Sequence, residues 1–199
     1  MFDLIGRLKQ GQHVLLVGKN GTGKTTLAEK ILSAISYVIV IDTKGELRWT
    51  GFRTTSDVNV AFSETHVIFR PGGNIGKVEQ IFQRALKEGG WTVYVDELYM
   101  IGIGSVQRFP PSFIEALTRG RSKKVTVYMG TQRPRFVPVF VFTEPRHIFV
   151  FNLSSRYDRV HVAKSVGDER LATKMQGHQF LYANTDAETV VRSELRLAA

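Results

Sequence analysis

Cysteine is missing from this chain of 199 residues. That excludes disulfides and thiolate metal sites, and it suits a reducing compartment. No stretch approaches the roughly 20 consecutive apolar residues of a membrane span. The opening residues, Met1-Phe2-Asp3-Leu4-Ile5-Gly6-Arg7, carry an early acid and no long apolar run, so they do not read as a secretory signal. Acidic residues are outnumbered, with 18 Asp and Glu against 27 Lys and Arg and a formal charge of +9. Such an excess favours polyanionic partners, and a generally basic surface explains it equally well. The sequence shows no repeat, linker or low-complexity tract. Its 43% apolar content is enough for a core, so one domain over residues 1–199 is expected.

What is present is concentrated in short motifs. Gly18-Lys19-Asn20-Gly21-Thr22-Gly23-Lys24-Thr25 fits the phosphate-loop pattern G-x-x-x-x-G-K-[ST]. It follows an apolar run, His13 to Val17, and opens an amphipathic stretch with Leu27, Ile31, Leu32 and Ile35 on one helical face. Strand, glycine loop and helix are the context this motif requires. Further strand signals alternate with helical ones: Tyr37–Ile41, His66–Phe69, Trp91–Val95, Val125–Met129 and His147–Phe151. Val78, Ile81, Phe82, Ala85 and Leu86 keep helical spacing, as does a shorter stretch around Phe113, Ile114 and Leu117. Residues 99–112, with Gly102, Gly104, Pro110 and Pro111, read as a loop. Phe180-Leu181-Tyr182 and Val190-Val191 read as two antiparallel strands. The alternation predicts an α/β fold with a mainly parallel central sheet flanked by helices and a short C-terminal antiparallel strand pair.

Ligands of such sheets sit beyond the carboxyl ends of the strands, and four strand ends carry marked residues: the phosphate loop, Asp42, Asp96-Glu97 and Thr131-Gln132. In the loop, Gly18, Asn20, Gly21, Thr22 and Gly23 provide the cradle, and backbone N–H groups from Gly21 to Lys24 can surround a β-phosphate. Lys24 is expected at the β- and γ-phosphates and Thr26 at the α-phosphate. Thr25 and Asp96 are expected to hold Mg²⁺, a hard cation that takes oxygen ligands. Glu97 would polarise the attacking water, and Gln132 would sense or position the γ-phosphate. Arg119 and Arg121, at a helix end, are exposed enough to reach a neighbouring subunit's nucleotide. The reaction implied is hydrolysis of a nucleoside triphosphate, with ATP favoured.

These elements together resemble the FtsK–HerA superfamily of RecA-like P-loop ATPases. The likeness covers about residues 11–185. It adds Ile41-Asp42-Thr43-Lys44-Gly45-Glu46 after the second strand, Val95-Asp96-Glu97, and Arg119-Gly120-Arg121 followed by Gly130-Thr131-Gln132-Arg133-Pro134. Phe151 to Asp158 is similar to the strand and polar turn that come next in that family. The resemblance implies a homo-oligomeric ring, hexamer or pentamer, acting on double-stranded DNA irrespective of sequence. It also implies that Arg121 is donated to the adjacent subunit and that the loop over 99–112, with Arg108, faces the DNA.

The length leaves no room for a membrane anchor, a DNA-reading winged helix or an added β-barrel. In size the chain is similar to genome-packaging ATPases of tailless, internal-membrane viruses. That likeness implies the host cytoplasm as location and a capsid vertex or viral membrane proteins as partners. Other readings are a cellular or plasmid HerA-like translocase, an ATPase of virion assembly or extrusion, and a small-molecule kinase. The last is disfavoured because a water-activating Glu97 would waste ATP. The sequence has no Asn-Lys-x-Asp and no Leu-Ser-Gly-Gly stretch, which disfavours GTPases and transporter-type ATPases.

Overall fold

A computed structural model of the chain describes residues 8–102 and 108–195. Nine strands form one sheet: β1 (Val14–Val17), β2 (Val38–Ile41), β3 (Arg53–Thr55), β4 (His66–Phe69), β5 (Thr92–Val95), β6 (Thr126–Thr131), β7 (His147–Phe151), β8 (Gln179–Asn184) and β9 (Thr189–Glu194). Their order across the sheet is β3-β4-β2-β5-β6-β1-β7-β8-β9. The first seven are mutually parallel, and β8 and β9 run antiparallel to their neighbours. The expected α/β architecture, mainly parallel with a C-terminal antiparallel pair, is therefore the one found.

Helices α1 (Lys24–Leu32), α2 (Val58–Ala61), α3 (Ile75–Glu88), α4 (Pro111–Arg119), α5 (Phe140–Thr143) and α6 (Arg156–Val166) connect the strands. The strands β1, β2 and β5 are buried along their whole length, as a sheet covered on both faces requires. Side chains alternate across the sheet into two cores. Leu15, Val17, Ile39, Ile41, Val93 and Val95 pack with α3, α4 and α6 through Ile81, Phe82, Phe113 and Val162. Val14, Leu16, Val38, Val40, Tyr94 and Tyr128 pack with α1 through Leu27 and Ile31, and with Trp49, Phe149 and Phe180. Each such fully buried Val, Leu, Ile or Phe contributes about 1.5–3 kcal/mol from the transfer of its apolar surface.

Local chemistry sets the ends of these helices. Asn74 caps α3 by accepting the Lys77 N–H, and α3 stops at Gly89, whose φ is 72°. Pro110 and Pro111 introduce α4, with Pro111 at a first-turn position that needs no N–H donor.

Several local expectations shift. His66–Phe69, the third strand signal, is the fourth strand, because Arg53–Thr55 forms an exposed edge strand without apolar alternation. Ile35 lies past the end of α1, yet packs against the same core. The segment read as a loop over 99–112 begins inside a 3₁₀ turn, Leu98–Ile101, and ends inside α4; its residues 103–107 lie outside the described residues. The strand expected to end at Met129 runs on through Gly130 and Thr131.

Candidate functional site

The order of the sheet decides what meets what. β6 lies between β1 and β5, and all three run parallel. The phosphate loop, Gln132 and Asp96-Glu97 therefore emerge side by side at one edge, with Lys44 beyond β2 next to the acidic pair.

The loop is tied to both flanking strands. Gly18 N–H donates to the Thr131 carbonyl at 3.1 Å, and Lys19 N–H to the Asn152 carbonyl at 3.0 Å. Thr22 Oγ1 and Lys24 Nζ both donate to the Lys19 carbonyl, at 2.8 and 3.1 Å, so the loop folds over its own lysine. Gly23, at φ 100°, sits where a Cβ would lie 2.8 Å from Leu195 Cδ2; only glycine provides both the conformation and the room. Gly18 and Thr22 are buried, Asn20 and Gly21 exposed, and Thr26 half-buried.

Thr25 Oγ1 donates to Asp96 Oδ1 at 3.1 Å, which brings together the two residues expected at a metal. A hydroxyl and a carboxylate are hard oxygen donors of the kind Mg²⁺ prefers. Glu97 is only 2% exposed. Its Oε1 accepts the Gln132 backbone N–H at 3.0 Å, and Lys44 Nζ lies 3.4 Å from its Oε2. Gln132 itself is half-buried. Burial pushes the Glu97 carboxyl above its ordinary pKa, against the opposing pull of the Gln132 N–H, Lys44 and Lys24. Lys24 is depressed, chiefly by burial and further by Lys44, while Glu97 and Asp96 act against that. Both shifts have one cause: charged groups are gathered where water is scarce. A polyphosphate placed on the loop would add negative charge beside Lys24.

Lys44 is the residue that sequence reasoning placed in a motif without a role. Its loop is rigid because Asp42, buried at the end of β2, accepts the N–H groups of Gly45, Glu46 and Leu47 and pairs with Arg70. Asp42 thus acts as a staple, with both of its oxygens engaged inside its own loop and by Arg70. The signal for Lys44 was its spacing from Asp42, but its partner Glu97 becomes visible only once β2 and β5 are known to be neighbours.

Arg119 and Arg121 are not brought to this site. They lie beyond the amino end of β6, where Gly120 accepts the Val125 N–H and Arg121 packs beside Gly11. The length of the sheet separates them from the phosphate loop of the same chain. Arg108 is exposed.

Comparisons with known proteins accord with this geometry. Residues 2–89, which hold the phosphate loop, match the ABC transporter family. The genome packaging NTPase B204 of Sulfolobus turreted icosahedral virus 2 shares the fold. In its sulfate complex it superposes with a TM-score of 0.82 at 20% identity, covering 96% of this chain and 100% of that one. VirB4 of Thermoanaerobacter pseudethanolicus shares it more distantly, at a TM-score of 0.68 and 9% identity over 94% of this chain and 89% of that one. The DNA packaging ATPase P9 of Enterobacteria phage PRD1 is 31% identical over 157 residues, 74% of this chain and 67% of the phage protein. With that identity and coverage, and with the phosphate loop, the acidic pair and Thr131-Gln132 at one sheet edge, the chain belongs to the family of DNA-packaging ATPases that includes P9.

Proposed function

We propose that this chain is a single motor domain over residues 1–199 that hydrolyses ATP to drive double-stranded DNA into a viral shell. The observation that carries the reading is Glu97: a buried carboxylate at the end of β5, with β6 between it and the phosphate-loop strand, held by Gln132 N–H and Lys44. Such a group suits a base that polarises water in line with a γ-phosphate. Lys24 leaves the Lys19 carbonyl to bind the β- and γ-phosphates, and N–H groups from Gly21 to Lys24 surround the β-phosphate. Gly18, Asn20 and Thr22 shape the cradle, and Thr26 meets the α-phosphate. Gln132 reads the γ-phosphate. Thr25 and Asp96 would hold Mg²⁺, which would supply neutralisation of the phosphate charge.

Arg121 lies across the sheet from its own phosphate loop, so a nucleotide that it reaches would be a neighbour's. This supports a homo-oligomeric ring in which the amino edge of one sheet meets the carboxyl edge of the next. The charge of +9 supports sequence-independent contact with DNA phosphates, and Arg108, exposed beyond the acidic strand, is the proposed DNA contact. No helix among the described residues is long and apolar enough to cross a membrane. Action in the host cytoplasm at a capsid vertex follows from the packaging reading.

ATP turnover measured with and without long duplex DNA tests the proposal. DNA should stimulate the parent protein. Arg108→Ala should lose a few-fold of that stimulation at an unchanged DNA-free rate. A parent protein indifferent to duplex DNA would favour an assembly ATPase instead.

A further inference from the structure

Tyr94 lies two residues before Asp96 on β5, so both side chains project from the same face of the sheet. Its ring is fully buried and stacks on Trp49, with centroids 5.9 Å apart and planes inclined by 16°. Its hydroxyl donates to Asp96 Oδ1 at 2.8 Å. Thr25 Oγ1 donates to that same oxygen at 3.1 Å. Asp96 Oδ1 therefore already carries two hydroxyl donors.

The strand next door makes room for this pair. β6 runs parallel to β5 with Val95 opposite Met129, which sets Gly130 beside Asp96. A Cβ at Gly130 would lie 2.8 Å from the Tyr94 hydroxyl and 2.4 Å from the Asp96 carbonyl oxygen. Any other residue would push the phenol off the carboxylate. Trp49 and Gly130 thus hold a tyrosine where phenylalanine would fill the core equally well, and the hydroxyl is what distinguishes them.

We propose that Tyr94 is a positioning residue for Asp96: its hydroxyl, together with that of Thr25, occupies Oδ1 and leaves Oδ2 as the oxygen presented to the Mg²⁺ ion and its waters. This rests on the assignment of Thr25 and Asp96 to the metal. A carboxylate free to rotate would present either oxygen at varying angles. One fixed by two donors meets the ion in a single orientation, and loss of such an outer partner typically lowers metal affinity about 10-fold or more.

The test is a double-mutant cycle of Tyr94→Phe and Asp96→Asn, read by Mn²⁺ binding to the ADP-loaded protein in an electron-paramagnetic-resonance titration. Each variant is titrated well below its own thermal midpoint, and ADP affinity in EDTA serves as the metal-free control. Tyr94→Phe should weaken Mn²⁺ about 10-fold, leave metal-free ADP binding within about two-fold, and add nothing further in the Asp96→Asn background. Unchanged Mn²⁺ affinity in Tyr94→Phe would overturn the inference, as would an equal loss in both backgrounds, since a merely structural phenol would cost the same with or without Asp96. If Asp96→Asn alone left Mn²⁺ binding intact, the metal assignment itself would fall. The two failures are therefore distinguishable.

Discussion

The two ends of the parallel sheet bury polar groups in opposite ways. At the amino end, His13 Nδ1 accepts the Val127 N–H at 3.0 Å, inside a site walled by Gly120 and Leu117. His147 lies between the Tyr182 hydroxyl, 2.8 Å from Nδ1, and Gln12 Oε1, 2.9 Å from Nε2. Thr126 Oγ1 accepts the Gly11 N–H at 2.7 Å. Each of these groups is satisfied by a fixed neighbour inside the fold. At the carboxyl end, Lys24 holds a loop carbonyl, Thr25 holds Asp96, and Glu97 meets Lys44 and the Gln132 N–H. Satisfied burial stabilises a fold, whereas mutual burial of charges waits for a ligand to balance them.

The largest expected effect breaks the carboxyl end. Glu97→Gln should lower turnover about 1,000-fold, within the range of general-base loss, while ATP affinity stays near that of the parent. Lys24→Ala should weaken nucleotide binding as well, because the positive charge facing the phosphates is gone. Full turnover by Glu97→Gln protein would show that Glu97 is buried for structural reasons, like the histidines at the other end.

The next test joins the two ends through the ring. Arg121→Ala should fold and bind ATP but hydrolyse it about 1,000-fold more slowly or worse, as removal of a trans arginine does. Mixed with Glu97→Gln protein, it should regain part of the turnover, since a mixed ring contains sites with an intact Glu97 and an intact neighbouring Arg121. Titrating the mixing ratio at ring-forming concentration checks this. Activity no greater than the sum of the two variants would dissociate Arg121 from the site.

A smaller effect sharpens the amino end. Burial, outweighing the Leu117 bond, lowers the His13 pKa from 6.5 to about 4, and burial with Arg146 nearby does the same for His147. Both rings are neutral in the folded protein, while the unfolded chain takes up protons from about pH 6.5 downward. Stability is therefore fully present above 6.5 and declines as the pH falls toward 4. For His13 the shift, at about 1.4 kcal/mol per unit, corresponds to roughly 3 kcal/mol. Denaturant midpoints between pH 7 and pH 4 should follow that decline, and His147→Gln should flatten part of it. A flat profile would mean that these rings are protonated in place.

The unequal legibility of the two ends follows from the same contrast. The phosphate loop, the acidic pair and Thr131-Gln132 were readable because each follows an apolar run directly, and parallel strands bring such ends together by rule. Strand β3 escaped because Arg53, Thr54 and Thr55 lie at an edge, mostly exposed, with no apolar side to repeat. Lys44 and Tyr94 were visible as residues, but their roles depend on which strands are neighbours, and that order is set by long-range packing. His13 and His147 read as ordinary strand residues because nothing in a strand pattern reveals which side chains will find a buried partner.

The ammonium of Lys24 resting on the Lys19 carbonyl has a kinetic consequence. The phosphate loop holds its curved shape through its own bonds and those to Thr131 and Asn152, so an arriving nucleotide has no loop to fold. It exchanges one internal contact, worth about 1 kcal/mol net, for its own phosphate oxygens. Association is then governed by encounter rather than by rearrangement. How long a nucleotide stays is left to the contacts it makes after arrival.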